Sequence, residues 1–278
     1  MTYGTLYLCG TPIGNLQDIT LRVLDTLKSV DLVACEDTRK TLHLLNHFSI
    51  SKPVTSYYEH NKMSKGNVLI DELKQGKNIA LVSDAGMPGI NDPGCDLIRQ
   101  CIEENIPYTI VPGPVAAITG LVLSGMPTER FAFEGFVPRV KKEKLAYFRK
   151  VQQEERTLVF YESPHRLKET LEAMITVFPD RQIAAARELT KKFEEVVRGT
   201  PEEVLNYFNE NGIRGEFVVL VHGAEPQEEE DRDLDWAVKR VAILEEKEGI
   251  SQKDAIKQAA KEAGLSKRDV YNFIVQQK

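Results

Sequence analysis

Three loops rich in glycine and proline carry much of this chain's capacity for chemistry: Gly10-Thr-Pro-Ile-Gly-Asn-Leu-Gln-Asp-Ile-Thr20, Ser83-Asp-Ala-Gly-Met-Pro-Gly-Ile-Asn-Asp-Pro-Gly94 and Val111-Pro-Gly-Pro-Val-Ala-Ala117. Glycine has no Cβ, so a ligand can approach bare backbone there. Neither Gly-x-Gly-x-x-Gly nor a Walker pattern is present: Gly10 and Gly14 are wrongly spaced and no lysine follows. A phosphate cradle is therefore disfavoured. With Asp84 as the fixed acid and almost no other charge, the loops suit an amphiphilic ligand, such as a nucleoside with a cationic or thioether arm. They suit a triphosphate poorly, because nothing there would neutralise it.

Polar clusters follow other apolar runs: Glu36-Asp-Thr-Arg39, Glu59-His-Asn61, Tyr161-Glu-Ser-Pro-His-Arg166 and Arg187-Glu-Leu-Thr-Lys-Lys192. Each has a plain structural alternative. Asp37 or Thr38 can cap the helix that follows, Glu36 can pair with Arg39, and His60 can be a surface histidine. Their shared place at the carboxyl ends of strands, the ligand side of an open α/β sheet, raises the odds of function. Arg166, Arg187, Lys191 and Lys192 are expected to line a cleft with positive charge. The segment 139–150 adds six cations, Lys141, Lys142 and Lys144 among them, against one acid, which favours contact with a phosphate backbone. Metal chemistry finds little support. His43 and His47 are spaced i,i+4 but lack the His-Glu-x-x-His frame, and no metal is expected. No Gly-x-Ser-x-Gly elbow occurs, which argues against a serine hydrolase.

Regular elements must position these residues. Apolar runs at Leu6–Cys9, Leu32–Cys35, Pro53–Tyr58, Ile79–Val82 and Tyr108–Val111 alternate with amphipathic segments at Leu21–Val30, Thr38–Phe48, Met63–Lys74, Asp96–Glu104 and Val115–Ser124. That alternation predicts an α/β domain with a mostly parallel sheet over residues 1–126, the helix from Leu21 being capped by Asp18 or Thr20. A second α/β domain is expected over 127–224. Its short loop Leu189–Phe193 between two strands predicts a hairpin and so a mixed sheet. Residues 225–235 hold seven acids against one arginine and read as a solvated linker. In 236–278, Ser251 and Ser266 each precede an acid by three residues, marking two helix starts with a Gly264 turn between them. The basic pair is compatible with a helix-turn-helix and equally with a small bundle packed on the second domain.

The composition, 42% hydrophobic and 28% charged, is that of a globular protein with no membrane span. The amino terminus runs straight into a strand without a basic n-region, so no signal peptide is expected. Four cysteines without a Cys-x-x-Cys are expected as free thiols in the cytoplasm. A net charge of −6 argues against a protein that simply coats nucleic acid.

Taken in order, Gly10-Thr-Pro-Ile-Gly-Asn-Leu-x-Asp-Ile-Thr-x-Arg22, Glu36-Asp-Thr-Arg39, Glu59-His-Asn61, Ser83-Asp-Ala-Gly-Met-Pro, Pro112-Gly-Pro, Tyr161-Glu-Ser-Pro-His-Arg166 and Arg187-Glu-Leu-Thr-Lys191 resemble the tetrapyrrole (corrin/porphyrin) methylase superfamily. Within it the motifs are most similar to the branch that methylates the ribose 2′-oxygen of a cytidine in the decoding region of 16S ribosomal RNA. The resemblance implies a two-domain class III methyltransferase fold with a helical extension, S-adenosylmethionine as cofactor, a homodimer, and the small ribosomal subunit as partner. It further implies cofactor contacts from Pro12, Ile13, Asp84, Gly86, Met87, Pro114, Val115 and Ala116, and from Tyr161, Leu189, Thr190 and Gly215. Relatives often have Ser after Pro-Gly-Pro; with Val115 here, contact at that point becomes backbone or apolar. Position and motif together leave the proton acceptor open among Glu36, Asp37, Glu59 and His60, and the phosphate contact open between Arg39 and Arg187. Lys141, Lys142, Lys144, Arg166 and Lys191 are the expected RNA contacts. The alternatives are a tetrapyrrole C-methyltransferase on the same fold and a non-catalytic ribosome-binding factor.

Overall fold

The five apolar runs before residue 112 become β1 (Leu6–Cys9), β2 (Leu32–Cys35), β3 (Val54–Ser56), β4 (Ile79–Val82) and β5 (Tyr108–Val111) in a computed structural model that describes residues 2–225 and 232–276. They form one parallel sheet in the order β3-β2-β4-β1-β5. Strands that are apolar at every position belong in a sheet covered on both faces, and β4 is buried along its whole length. Residues of α1 (Leu21–Ser29) and α2 (Thr38–His47) build the core on one face with Val33, Cys35 and Val82. Residues of α3 (Lys62–Lys74) and α4 (Gly94–Glu103) build it on the other with Leu6, Leu8 and Leu81. Thr20 caps α1 by accepting from the Val23 N–H at 3.2 Å, and Asp37 caps α2 by accepting from the Arg39 N–H at 2.9 Å.

The second sheet holds β6 (Phe131–Phe136), β7 (Thr157–Glu162), β8 (Ile183–Arg187), β9 (Glu195–Gly199) and β10 (Phe217–Val221) in the order β6-β7-β10-β8-β9. β6 and β7 are parallel; the remaining pairs are antiparallel, including the β8–β9 hairpin. Helices α6 (Lys141–Lys150), α7 (Pro164–Val177) and α8 (Pro201–Asn211) share a core with one face of this sheet through Phe148, Leu167, Leu171 and Phe208.

The opposite face is covered by α5 (Ala116–Ser124), the helix that follows β5 of the first sheet. Its first turn lacks a side-chain cap because the N-cap residue is Val115; the Tyr161 hydroxyl of β7 accepts from the Ala117 N–H at 3.2 Å instead. At its other end Arg198 Nε donates to the Ser124 carbonyl at 2.8 Å. Between these ties Gly120 lies so near β10 that a Cβ there would stand 2.9 Å from Val218 Cγ1. Both sheets consequently fall in one compact unit, Met1–Ala224.

A second unit, Glu225–Lys278, contains α9 (Leu234–Glu248), α10 (Gln252–Ala263) and α11 (Lys267–Gln276). Its core joins Ala237, Val241 and Leu244 to Ala255, Ile256, Ala259, Ala260 and Val270. Ser251 and Ser266 cap α10 and α11 by accepting from Asp254 N at 3.3 Å and Asp269 N at 3.1 Å. The start of α9 escaped the sequence because its cap, Asp233, sits inside the acidic run; it accepts from Trp236 N at 2.8 Å. Most of the expected linker, 226–231, lies outside the described residues.

The seat of α5 on the second sheet can be tested at Gly120. Gly120→Val must push the helix off β10, and overpacking of this kind costs about 1–3 kcal/mol. A lowered urea midpoint at unchanged slope is expected; a midpoint equal to wild type would show that α5 does not rest on β10.

Candidate active site

The loops that follow β1, β4 and β5 meet backbone to backbone. Thr11 N donates to the Gly86 carbonyl at 2.9 Å and Gly86 N returns to the Thr11 carbonyl at 3.0 Å, while Thr11 Oγ1 donates to the Ser83 carbonyl at 3.2 Å. A Cβ on Gly10 would stand 2.6 Å from Gly113 N, and one on Gly113 would stand 2.9 Å from the Gly10 carbonyl oxygen. Only glycine fits at either place. Met87 Sδ accepts from Gly113 N at 3.1 Å. Asp92 holds the far end of the second loop, accepting from Gly89 N at 2.8 Å and Gly94 N at 2.7 Å where α4 begins.

Between these loops and the second sheet lies a cleft of about 480 Å³. Its apolar wall includes Ile13, Met87, Val115, Tyr161, Leu189 and Val218, with Gly86 and Ala116 contributing backbone. Of the expected cofactor residues, Ile13, Asp84, Gly86, Met87, Val115, Ala116, Tyr161 and Leu189 line the cleft. Pro12, Pro114, Thr190 and Gly215 are each chain neighbours of a lining residue.

The candidate catalytic residues separate clearly. Glu36 faces the cleft half-buried, and burial, with Asp84 and Asp92 adding repulsion, pushes its carboxyl up to about 7. Asp37 turns away. Its carboxylate takes Arg39 at 2.8 Å, and that guanidinium hydrogen bond, together with the Arg39 backbone N–H, holds it down at about 2. Arg39 therefore pairs with Asp37 and not with Glu36. The two residues, with Lys40 and His43, border an open depression on α2 that shares Lys40 with the cleft. Glu59 and His60 are exposed beyond β3 and do not line the cleft; Glu59 is paired with Lys62 at 2.7 Å.

Three expected cations have structural duties instead. Arg187 pairs with Glu195 at 2.6 Å, donates to the Gly212 carbonyl at 2.9 Å and lies over the Phe208 ring, clamping the sheet to α8. Arg166 donates to the carbonyls of Val137 and Pro138. Lys144 is only 1% exposed, with Nζ 3.7 Å from Glu169, so it cannot reach a phosphate from solvent. The helical period explains this: Lys144 and Phe148 stand i,i+4 on the face of α6 turned inward, which leaves Lys141 and Lys142 exposed. Lys191 is at the cleft, paired with Glu188 at 2.9 Å.

Lys40, Asp92, Glu188 and Glu216 also line the cleft and were not singled out as site residues in the sequence. Asp84 is thus not the sole fixed acid of the loops. It is also committed within the protein: it accepts from Asp37 N at 3.0 Å and from Lys40 Nζ at 2.8 Å, securing the first turn of α2. The signal for Lys40 was available, since it stands one helical turn after Glu36. The acidic lining residues Glu36, Asp84, Asp92, Glu162, Glu188 and Glu216 outnumber the cationic ones, Lys40 and Lys191, so the cleft attracts cations and repels phosphate. Among the described residues no group of three or more His, Cys, Asp or Glu is placed to hold a metal ion.

Residues 5–205 match the family model of the Tetrapyrrole (Corrin/Porphyrin) Methylases. The chain is similar to a protein of Halalkalibacterium halodurans named ribosomal RNA small subunit methyltransferase I, at 47% identity over 99% of this chain and 96% of the relative. The like-named protein of Bacillus subtilis is 47% identical over 97% of this chain and 93% of its own length. In fold the chain is similar to diphthine synthase, with a TM-score of 0.63 at 15% identity over 79% of this chain and 90% of that one. It is also similar to the uroporphyrin-III C-methyltransferase of Thermus thermophilus solved with S-adenyl homocysteine, with a TM-score of 0.56 at 19% identity over 79% of this chain and 97% of that one.

A carboxyl raised in the fold binds its proton more tightly folded than unfolded, so its contribution to stability is lost as pH climbs from the unfolded value towards about 7. Glu36→Gln removes that loss. The variant is expected to gain roughly 2 kcal/mol over wild type above pH 7 and almost nothing near pH 4. Parallel stability curves for the two proteins in urea across that range would show that Glu36 is not held protonated.

Proposed function

The chain belongs to the tetrapyrrole (corrin/porphyrin) methylase family, within the group of ribosomal RNA small subunit methyltransferase I, and from that premise we propose its reaction: methyl transfer from S-adenosylmethionine to the ribose 2′-oxygen of a cytidine in the decoding region of 16S ribosomal RNA. The observation that carries this is Glu36, a half-buried carboxyl at the end of β2 that faces a cleft of bare backbone and excess negative charge.

The cleft residues fit the cofactor. Apolar side chains at Ile13, Met87, Val115 and Leu189 offer a wall for an adenosine, and the glycine loops offer backbone donors and acceptors at close range. The unbalanced carboxylates suit a group carrying a sulfonium and an ammonium. When bound, S-adenosylmethionine supplies a methyl already activated on a cationic sulfur. The protein's part is therefore alignment and proton removal, since a ribose hydroxyl is a weak nucleophile at neutral pH. Glu36 takes the proton from the 2′-hydroxyl; a carboxylate near its pKa at the working pH is a better acceptor than Asp37, whose low pKa makes it a poor base. Lys40 and Asp84 hold α2 so that Glu36 keeps its place at the end of β2. Arg39, paired with Asp37 yet 89% exposed, is the more accessible guanidinium for a phosphate, because Arg187 is held within the fold. Lys141, Lys142 and Lys191 add positive charge for the RNA backbone.

The relatives that match this chain over nearly its whole length are named for ribosomal RNA, which favours RNA over a tetrapyrrole as the methyl acceptor. A homodimer belongs to the same proposal. β5 leaves one edge of the first sheet unpaired, and Tyr108 and Ile110 on it, with Ile118 and Val122 of α5, form exposed apolar surface fit for a second copy. The four free cysteines are consistent with the reducing cytoplasm, where small subunits are assembled. No helix of the described residues is long and apolar enough to cross a membrane.

Incubating the protein with methyl-labelled S-adenosylmethionine and small ribosomal subunits should place label on a ribose 2′-oxygen. Glu36→Gln should reduce turnover by about 10²–10⁴ with cofactor affinity little changed. For the wild type, kcat/KM for the cofactor should rise with pH and level off above about 7, because only the ionised carboxyl accepts the proton. Turnover of the glutamine variant within about twofold of wild type would remove Glu36 from the chemistry.

A further inference from the structure

The helical unit α9–α11 is the part of the chain with no role in the cleft chemistry, and its charges are unevenly spent. Glu262, on α10, accepts from Arg240 at 2.8 Å and from Gln258 at 3.0 Å, and its backbone carbonyl accepts from Arg232. Asp254 accepts from the Ser251 hydroxyl at 2.7 Å at the start of α10. Two acids of this helix pair are therefore engaged locally. The cations are not: Lys253, Lys257 and Lys261 on α10, and Lys267 and Arg268 at the start of α11, are all exposed and make no ion pair among the described residues.

Their placement is ordered. Lys253, Lys257 and Lys261 stand i, i+4 and i+8, which is one face of the helix and a straight row about 12 Å long. The inward face carries Ala255, Ile256, Ala259 and Ala260 against α9, so the row must point to solvent. Gly264, at φ +68°, turns the chain and brings the first turn of α11 after it, where Lys267 and Arg268 sit beside backbone N–H groups not yet paired within the helix. One turn further along α11, Tyr271 is 55% exposed and Asn272 is exposed beside it. A cation row, a helix start with two more cations, and an accessible aromatic and amide form a surface complementary to a phosphodiester backbone with unstacked bases nearby.

We propose, on the footing that RNA is the substrate, that the exposed face of α10 and the first two turns of α11 bind the phosphodiester backbone of that RNA. The contact is electrostatic along Lys253–Lys261 and is extended by Lys267 and Arg268. Because it grips backbone, it raises affinity for any structured RNA and leaves the choice of nucleotide to the cleft.

The test uses the full chain and a short RNA hairpin, with dissociation constants measured by fluorescence anisotropy across salt concentrations. K253E/K257E/K261E should weaken binding at least roughly tenfold at low salt and lower the slope of log Kd against log salt by roughly 2 to 3. K253Q/K257Q/K261Q, a milder change at three solvent-facing positions, should lower the slope in the same direction, as should K267Q/R268Q by roughly 1 to 2. Binding of S-adenosylmethionine by equilibrium dialysis should be unchanged in all three. An unchanged slope and affinity overturn the proposal. So does intact hairpin binding combined with lost binding to small ribosomal subunits, which would assign the face to a ribosomal protein. Failure of the wild type to bind S-adenosylmethionine would defeat the proposed reaction and leave the salt slopes to decide this surface independently.

Discussion

The cleft depends on one contact that no side chain makes. β4, β1 and β5 are neighbours in the sheet, so the loops at their carboxyl ends leave the sheet about 4.8 Å apart. At that separation Gly10 and Gly113 face each other with no room for a Cβ, and an isolated antiparallel bridge between Thr11 and Gly86 ties two of the loops together beyond the strand ends. The three loops are thereby joined into a single platform. Its upper surface is largely peptide backbone, so a ligand can be met there by N–H and C=O groups as well as by side chains. The same junction sends the chain out of β5 towards the second sheet, where α5 is received by Tyr161, Val218 and Arg198. Floor and far wall of the cleft are therefore consequences of one close approach.

Charge within that frame is arranged by short loops and helix starts. Asp84 fixes the first turn of α2 through the Asp37 N–H and Lys40, and that turn in turn fixes Glu36 at the strand end. Asp92 spends its carboxylate on the backbone of its own loop. Both acids repel a negative charge on Glu36. The raised carboxyl of Glu36 follows from carboxylates already needed for structure, as well as from burial.

The alternation of apolar runs and amphipathic segments was enough to read both sheets and nearly every helix, because strands buried on both faces are apolar throughout and most helices carry cap residues at their starts. The glycine-proline loops were legible as places of close backbone approach, and the cleft opens beside them. What could not be read was which polar side chain faces which neighbour. Arg187 looks as free as Arg39 in the sequence; it is Glu195, brought alongside by the β8–β9 hairpin, and the Phe208 ring of α8 that engage it. Lys144 looks like one more member of a basic run, and only the packing of α6 on α7 buries it. α9 was hidden because an aspartate cap inside an acidic run is indistinguishable from its neighbours.

The division of charge also bears on how a chain of net −6 can act on a polyanion. Carboxylates in the cleft would repel the phosphates flanking a target nucleotide, so affinity for RNA cannot arise where the chemistry occurs. Cations that do not line the cleft are available for it: Arg39 at the start of α2 and Lys141 and Lys142 on the exposed face of α6, to which the proposed row on α10 would add. Salt screens such contacts over about 8–10 Å, so each acts only on the phosphates next to it. Binding energy gathered away from the reacting atoms can then be used to hold one ribose against the field of the cleft, the arrangement in which remote contacts raise turnover and not merely affinity. An acidic cleft and a basic periphery are in this sense two halves of one requirement: the cofactor needs negative charge and the substrate positive, and the fold keeps them on different elements.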